Sequence, residues 1–259
     1  MKKFKKSRSA DGSEVREELD LKKLLNLKYL DLTNRTHYSG RFDLPSVYCS
    51  TDVFPDYIAL YGDPKDYRKT ALTAVGFFEF DCFFDGQHGL CNAIYYNNEA
   101  DLAKFKERFA GVKFFIGPDC SLLGDIDQVE NLYRIKRSRL ATLWFCKELK
   151  AVSIPLLTFP SLDTLDYYLD GLEDCEVIAI STKGHIADPA EYKILCLTIK
   201  DIVRKLHLKA IIVYDVCGDE TKTLKAFEPA IEAGIKVVIP GNSLKQRNKR
   251  HMEERHEKR

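Results

Sequence analysis

The sequence predicts an α/β fold: a mostly parallel sheet with helices on both faces. Three observations point there. Five short runs in the second half are rich in β-formers: Val112–Gly117, Val152–Phe159, Val177–Ser181, Ala210–Tyr214 and Lys236–Ile239. These runs are apolar on both faces rather than alternating, as expected of parallel strands covered on both sides. Helical patterns separate them, and strand–helix alternation implies right-handed βαβ units.

Taken in order, the first half is the less regular. Val47–Ser50, Tyr57–Tyr61 and Ala74–Asp81 read as strands. Glu99–Phe109 reads as a helix stopped by Gly111. Val129–Lys150 spaces Leu132, Ile135, Leu140, Leu143, Trp144 and Leu149 at helical intervals, and Asp125-Ile-Asp-Gln128 resembles a capping box at its start. Ser161-Leu-Asp-Thr opens a short helix that Gly171 would close. Ala190–Leu206 follows Asp188-Pro189, with the proline suited to a first helical turn. Thr221–Ala233 ends at Gly234. With the five later runs, the three early strands make eight, which suits a (β/α)8 barrel. Only about six residues join the first two, however, and a parallel crossover needs about a dozen. A distorted or incomplete barrel and an open doubly wound sheet both fit.

Composition bounds the function. The chain has 259 residues, 45% hydrophobic and 31% charged, with 40 Lys+Arg against 39 Asp+Glu and a net charge of +1. Disorder throughout and a wholly basic nucleic-acid wrapper are excluded, though a local basic patch is not. No apolar run reaches membrane-span length, and the N-terminus lacks the apolar segment of a secretory signal. The eight cysteines are scattered without C-x-x-C spacing, which predicts reduced thiols in a cytoplasmic protein. Residues 1–18 open with Lys2, Lys3, Lys5, Lys6 and Arg8 and read as a mobile tail. Residues 19–242 read as a single α/β domain, and residues 243–259 as a charged, basic tail.

Ligands bind at the C-terminal ends of parallel strands in either architecture. Asp119 and Ser121 follow the strand at Val112–Gly117. Asp119 there can act as general base, metal ligand or ribose-hydroxyl acceptor, or both can cap the next turn. Cys120 between them would be reactive only with a depressed pKa. Ser181, Thr182 and Lys183, with Gly184 and His185, offer hydroxyls, a turn, a cation and an imidazole. They suit a phosphate, or form an ordinary βα loop, without the spacing of a P-loop. Arg134, Lys136, Arg137 and Arg139 cluster near Asn131 and Tyr133. Arg134 and Arg137 share a helix face and could clamp phosphates, or pair with Asp125, Asp127 and Glu130. Asp81, Asp85 and His88 could hold a metal, but their spacing matches no metal motif, so no metal site is predicted. Asp215 and Pro240-Gly241-Asn242 end two further strands.

From about Ala74 to Asn242, two thirds of the chain, the sequence resembles the uncharacterised domain-of-unknown-function family 4417 of bacteria, phages and mobile elements. Gly117-Pro-Asp-Cys-Ser-Leu122 is similar to that family's Pro-Asp-Phe-Ser-Leu signature. Asn131, Tyr133, Arg137-Ser-Arg139, Trp144, Ile154-Pro155, Asp170-Gly171, Val177–Thr182 and Val213-Tyr214 follow in order. Phe159 stands where the family usually has Trp, Lys183 precedes Gly184 where His-Gly is common, and Asp215 replaces a Gly. The resemblance implies a bacterial or mobile-element setting and centres on Asp119–Arg139. It carries no activity.

The expected function is a nucleic-acid- or nucleotide-processing protein of a phage or plasmid. In it Asp119 and Ser121 would be catalytic, and Asn131, Arg134, Arg137, Arg139, Ser181, Thr182 and Lys183 would bind phosphate. Two alternatives stay open: a non-catalytic nucleic-acid binder acting through its basic tails, and a small-ligand sensor without turnover. The expected partners are DNA, RNA or a phosphorylated small molecule, with no membrane. The sequence names no cofactor and no oligomeric state.

Overall fold

Where a strand is apolar at every position, both its faces must meet something, and the arrangement of this chain supplies cover on both sides. The computed structural model describes residues 6–8, 14–16, 25–34, 36–159 and 165–257. Two small antiparallel pairs come first: β1 (Lys6–Arg8) with β2 (Glu14–Arg16), and β3 (Tyr38–Ser39) with β4 (Leu44–Pro45). The one-turn helix α1 (Leu30–Thr33) lies between them in sequence.

The core is built on two four-stranded parallel sheets. One runs β5 (Tyr57–Leu60), β6 (Thr73–Gly76), β7 (Phe114–Ile116), β8 (Val152–Ile154). The other runs β9 (Leu156–Leu157), β10 (Val177–Ser181), β11 (Ala210–Tyr214), β12 (Lys236–Val238). Strands β8 and β9 are one run interrupted at Pro155, which has no N–H to give a ladder. One half pairs with β7 and the other with β10. The opposite edges touch through a single parallel bridge, Tyr57 to Gly241, in which Ile58 N–H donates to the Gly241 carbonyl at 2.8 Å. The result is a distorted, incomplete barrel rather than a continuously hydrogen-bonded one.

Side chains alternate between inside and outside along each strand. Ile58, Ala74, Ile116, Ile154, Leu156, Ala179, Ile212 and Tyr214 form the central cluster. Outside the first sheet, Val75, Phe77 and Phe115 pack on α4 (Glu99–Arg108) and α5 (Gln128–Leu149) through Leu102, Phe105, Leu140 and Phe145. Outside the second, Ile178, Ile180, Ile211 and Val213 pack on α7 (Pro189–Lys205) and on α8 (Thr221–Ala226) and α9 (Glu228–Glu232). The cap of α7 sits at its sequence signal, whereas that of α5 sits two residues later than the expected box at Asp125, because the helix begins at Gln128. Asp127 Oδ1 accepts from Glu130 N–H at 2.9 Å at the start of α5, and Asp188 Oδ1 accepts from Ala190 N–H at 2.8 Å before α7.

Several expected elements differ. Val47–Ser50 is not a strand: its backbone bonds to the turn at Gly171 and to the start of β10, with Val47 N–H on the Gly171 carbonyl and the Cys49 carbonyl taking the N–H groups of Glu176 and Val177. The connection that was too short for a crossover therefore does not exist, and the barrel has seven strand positions instead of eight. The strand expected over Ala74–Asp81 stops at Gly76, Asp81–Phe84 becomes a short helix, α2, and α3 (Leu90–Tyr95) follows it. The helix over Thr221–Ala233 divides at Phe227, ahead of Pro229. Ser161 lies outside the described residues, but α6 (Leu165–Leu169) stands where the short helix was expected. Residues 17–24, around the expected start of the domain, also lie outside them. The C-terminal stretch, read as a tail, is helical over Ser243–Glu257 (α10). Its first turn is fixed by Asn242, fully buried, whose Oδ1 accepts from Lys245 N–H at 2.8 Å.

Candidate functional site

The C-terminal ends of the parallel strands gather the charged groups. After β6 the chain continues Phe77-Phe78-Glu79-Phe80 into α2. Phe78 turns inward and stacks on Tyr214 at the end of β11, with ring centroids 3.9 Å apart and planes 1° from parallel. These two rings close the top of the central cluster. Glu79 Oε2 accepts from Gly62 N–H at 2.6 Å, which ties the ends of β5 and β6 together.

Asp119 stands just past β7, half-buried, and its carboxylate accepts no hydrogen bond from a described residue. Burial pushes its pKa up to about 6; the nearby charge of Asp81 adds to the rise and that of Lys183 opposes it. Burial, with the charges of Glu79, Tyr57 and Asp119 around it, likewise pushes the Tyr214 phenol up. Lys183, in the turn after β10, donates from Nζ to the Phe78 carbonyl at 2.9 Å and takes part in no ion pair among the described residues. One carbonyl leaves an ammonium two further donors.

Asp81, at the start of α2, is saturated. Ser121 donates to it from Oγ at 2.9 Å and from its backbone N–H, and Arg134 Nη1 donates at 2.8 Å. Arg134 also pairs with Glu130 at 2.8 Å. Arg137 bonds Asp85 at 2.5 Å and Asn92 at 3.1 Å, and lies over the Tyr133 ring at 5.3 Å. Ser121, Arg134 and Arg137 thus surround the acids of the α2 loop, and both guanidiniums already have carboxylate partners.

The remaining candidates have local partners. Asn131 is buried and holds the loop after Asp119, accepting from Leu123 N–H and donating to the Leu123 carbonyl at 2.8 Å. Arg139 is 3% exposed, donates to the Tyr168 carbonyl, and burial lowers its pKa to about 10. It faces the second sheet's helices, away from Asp119. Ser181 Oγ accepts from Lys183 N–H at 3.2 Å and shapes that turn. Thr182 is buried and donates to Asp215 at 2.9 Å. Cys120 points into the core beside Cys91, and that contact together with burial raises its thiol well above the ordinary range. All eight thiols are free.

Among the described residues no three His, Cys, Asp or Glu side chains converge as a metal site. Asp81, Asp85 and His88 separate onto different partners, His88 bonding Asp101 at 2.9 Å. Glu79, Phe78 and Tyr214 are the site residues that sequence reading missed. Glu79 had one signal, a lone carboxylate in the apolar run Phe77-Phe-Glu-Phe80.

The backbone before Asp119 is tightly fitted. A Cβ on Gly117 would lie 2.9 Å from Thr142 Oγ1, on α5, and 3.3 Å from the Leu156 nitrogen. Gly117→Ala is expected to cost about 1–3 kcal/mol in urea unfolding by forcing β7 off α5.

The family model of a domain of unknown function, DUF4417, matches residues 36–228. No curated protein matches the chain. A solved structure from Anabaena variabilis, provisionally named a sugar phosphate isomerase/epimerase, is 12% identical and aligns over 87% of this chain and 79% of its own, with a TM-score of 0.37.

Proposed function

The chain belongs to the DUF4417 family, and we propose that it processes a phosphorylated ligand of the nucleotide or nucleic-acid class at the C-terminal ends of its parallel strands. Asp119 moves a proton there, and Lys183 holds phosphate charge. One observation carries this reading: among the described residues Asp119 is the carboxylate of this face left without a hydrogen-bonding partner, and it lies within the field of a lysine that has no ion pair there. Asp81, Asp85 and Glu79 are all engaged. A carboxylate with a pKa of about 6 changes protonation near neutral pH, as an acid/base group needs to. Lys183 supplies a point charge with donors to spare, suited to phosphate oxygens. Arg134 and Arg137 contribute by orienting Asp81 and Asp85, which keeps those acids from competing with Asp119 for the ligand's protons. Ser121 positions Asp81.

The setting proposed with this is the cytoplasm of a bacterium carrying a phage or plasmid. Eight unpaired thiols support a reducing compartment. Among the described residues no helix is long and apolar enough to cross a membrane.

Isothermal titration with AMP tests the reading. Lys183→Met is expected to weaken binding at least about tenfold, the loss of one charge-assisted contact, with the melting temperature unchanged. Asp119→Asn should bind AMP as well as the parent does. Equal affinity of the parent and Lys183→Met, or no binding by the parent at low salt, would sink the proposal.

A further inference from the structure

The C-terminal helix α10 is a fixed element of the fold, and its inner and outer faces differ in what their charges do. On the inner side, Lys245 Nζ lies 3.2 Å from the fully buried Asp215 and also bonds Glu220. Asn248 donates to the Val216 carbonyl at 2.7 Å. Gly218 sits so close to α10 that a Cβ there would come within 2.6 Å of the Met252 sulfur and 3.1 Å of Lys249 Cα. With the Asn242 cap, these contacts hold the helix by its first three turns against the loop after β11.

On the outer side Arg247 and Arg250 are exposed and take part in no ion pair among the described residues. Arg247 and Arg250 are three apart and share a face. Four residues separate β12 from α10, so the helix starts at the same end of the barrel as Asp119 and Lys183. Its fifteen residues extend about 22 Å from there.

We infer that α10 is a docking surface for the backbone of a single-stranded nucleic acid, which it guides toward the strand-end site. This rests on the reading of that site as a phosphate site and names its substrate class: a polynucleotide rather than a free nucleotide. The chemistry favours this occupant over two others. The outer face from Gln246 to Glu254 is polar and exposed, and Met252 lies on the inner side against Gly218, so there is no apolar stripe to enter a lipid surface. Arginine forks match phosphate oxygens in pairs, and two on one face suit a repeating phosphate chain better than scattered carboxylates. Because Lys245 and Asn248 hold the helix in place, its cations are displayed in fixed positions, which lowers the ordering cost of binding.

The experiment uses the full chain. A fluorescein-labelled oligothymidylate is titrated by anisotropy between about 50 and 200 mM salt. The parent, Arg247→Glu/Arg250→Glu and the milder Arg247→Gln/Arg250→Gln are compared, and AMP titrations run alongside. Since both side chains face solvent, melting temperatures should match the parent's. The expected result is a loss of oligonucleotide affinity of at least about tenfold in the Glu variant and a smaller loss in the Gln variant. The log–log salt slope should become shallower by about 1.4, two contacts at about 0.7 each for a single strand. AMP binding should not change. Unchanged oligonucleotide binding in both variants would overturn the inference. So would no binding by the parent at about 50 mM salt, or equal competition by oligoglutamate. If AMP binding ignores Lys183→Met while the oligonucleotide depends on the two arginines, the strand-end reading fails and the α10 surface stands.

Discussion

Asp119→Asn is expected to gain stability over the parent as pH rises, while losing whatever turnover the parent has. The folded protein holds this carboxyl at about 6 against an ordinary value of 3.8. A raised carboxyl favours the folded state when protonated. Its contribution is therefore fully present below pH 3.8 and is lost as pH climbs through 6. The shift corresponds to at most about 3 kcal/mol. Asparagine keeps the shape and never ionises. The stability difference between variant and parent should thus grow by up to about 3 kcal/mol between pH 4 and pH 8 in urea melts. Direct titration of the Asp119 carboxyl carbon by NMR should give a midpoint near 6. In any assay of processing, the variant should be slower by about 10²–10⁴-fold, the usual contribution of a positioned acid or base. A midpoint near 4, with no pH-dependent gain, would mean that the carboxylate is solvated and has no special role.

Under the proposed function, such a trade of stability for chemistry accounts for Asp119 having no hydrogen-bonding partner among the described residues. Had Arg134 reached Asp119 instead of Asp81, the ion pair would have lowered its pKa and fixed its charge. Ser121 and Arg134 converge on Asp81 instead. The acid directly after the strand is left to burial, which raises its pKa, with the nearby charge of Asp81 adding to the rise.

How much of this was legible in the sequence depends on the range of the forces involved. Strands β10 and β11 coincide with their expected runs because a fully apolar run of five residues has one way to bury both faces. Val47–Ser50 also contains β-formers, but its backbone bonds to the Gly171 carbonyl and to Glu176 and Val177, and composition cannot reveal that. The helix at Ser243–Glu257 was hidden for the opposite reason. It lacks an apolar face, and what holds it is its own cap, Asn242, together with two groups from distant positions, Asp215 and the Val216 carbonyl. The arginine cluster was legible as a cluster, but not as three separate fates. Arg134 and Arg137 reach the α2 loop, whereas Arg139, two residues on, turns to the other side of α5 and is buried. A helix turns about 100° per residue, so neighbours in sequence part company. Glu79 was passed over because a strand was expected to run through it to Asp81, where alternation alone would have set its direction.

Asp215→Ala is expected to be the most destabilising single change at this end of the barrel. The residue is fully buried after β11. Its Oδ1 accepts from Thr182 Oγ1 and Thr223 Oγ1, each at 2.9 Å, and from Cys217 N–H at 3.3 Å. Its Oδ2 faces Lys245 Nζ at 3.2 Å. Alanine leaves the Thr223 hydroxyl without its acceptor, the Thr182 hydroxyl with only the Tyr214 carbonyl at 3.4 Å, and an ammonium that is 12% exposed with only Glu220 for company. Losing one partner of a buried ion pair costs about 3–5 kcal/mol. Since the pair ties the loop after β11 to α10, the loss should also be local. Amide protons of α10 should exchange faster than those of β10, and the anisotropy of the oligonucleotide complex should fall with them. Lys245→Met alone leaves Asp215 its three other donors and should cost less. The double variant Asp215→Ala/Lys245→Met should cost less than the sum of the two, because the second change removes the stranded ammonium. Strict additivity would mean that the two charges act separately, and that α10 is held by the Asn242 cap and the Asn248 contact alone.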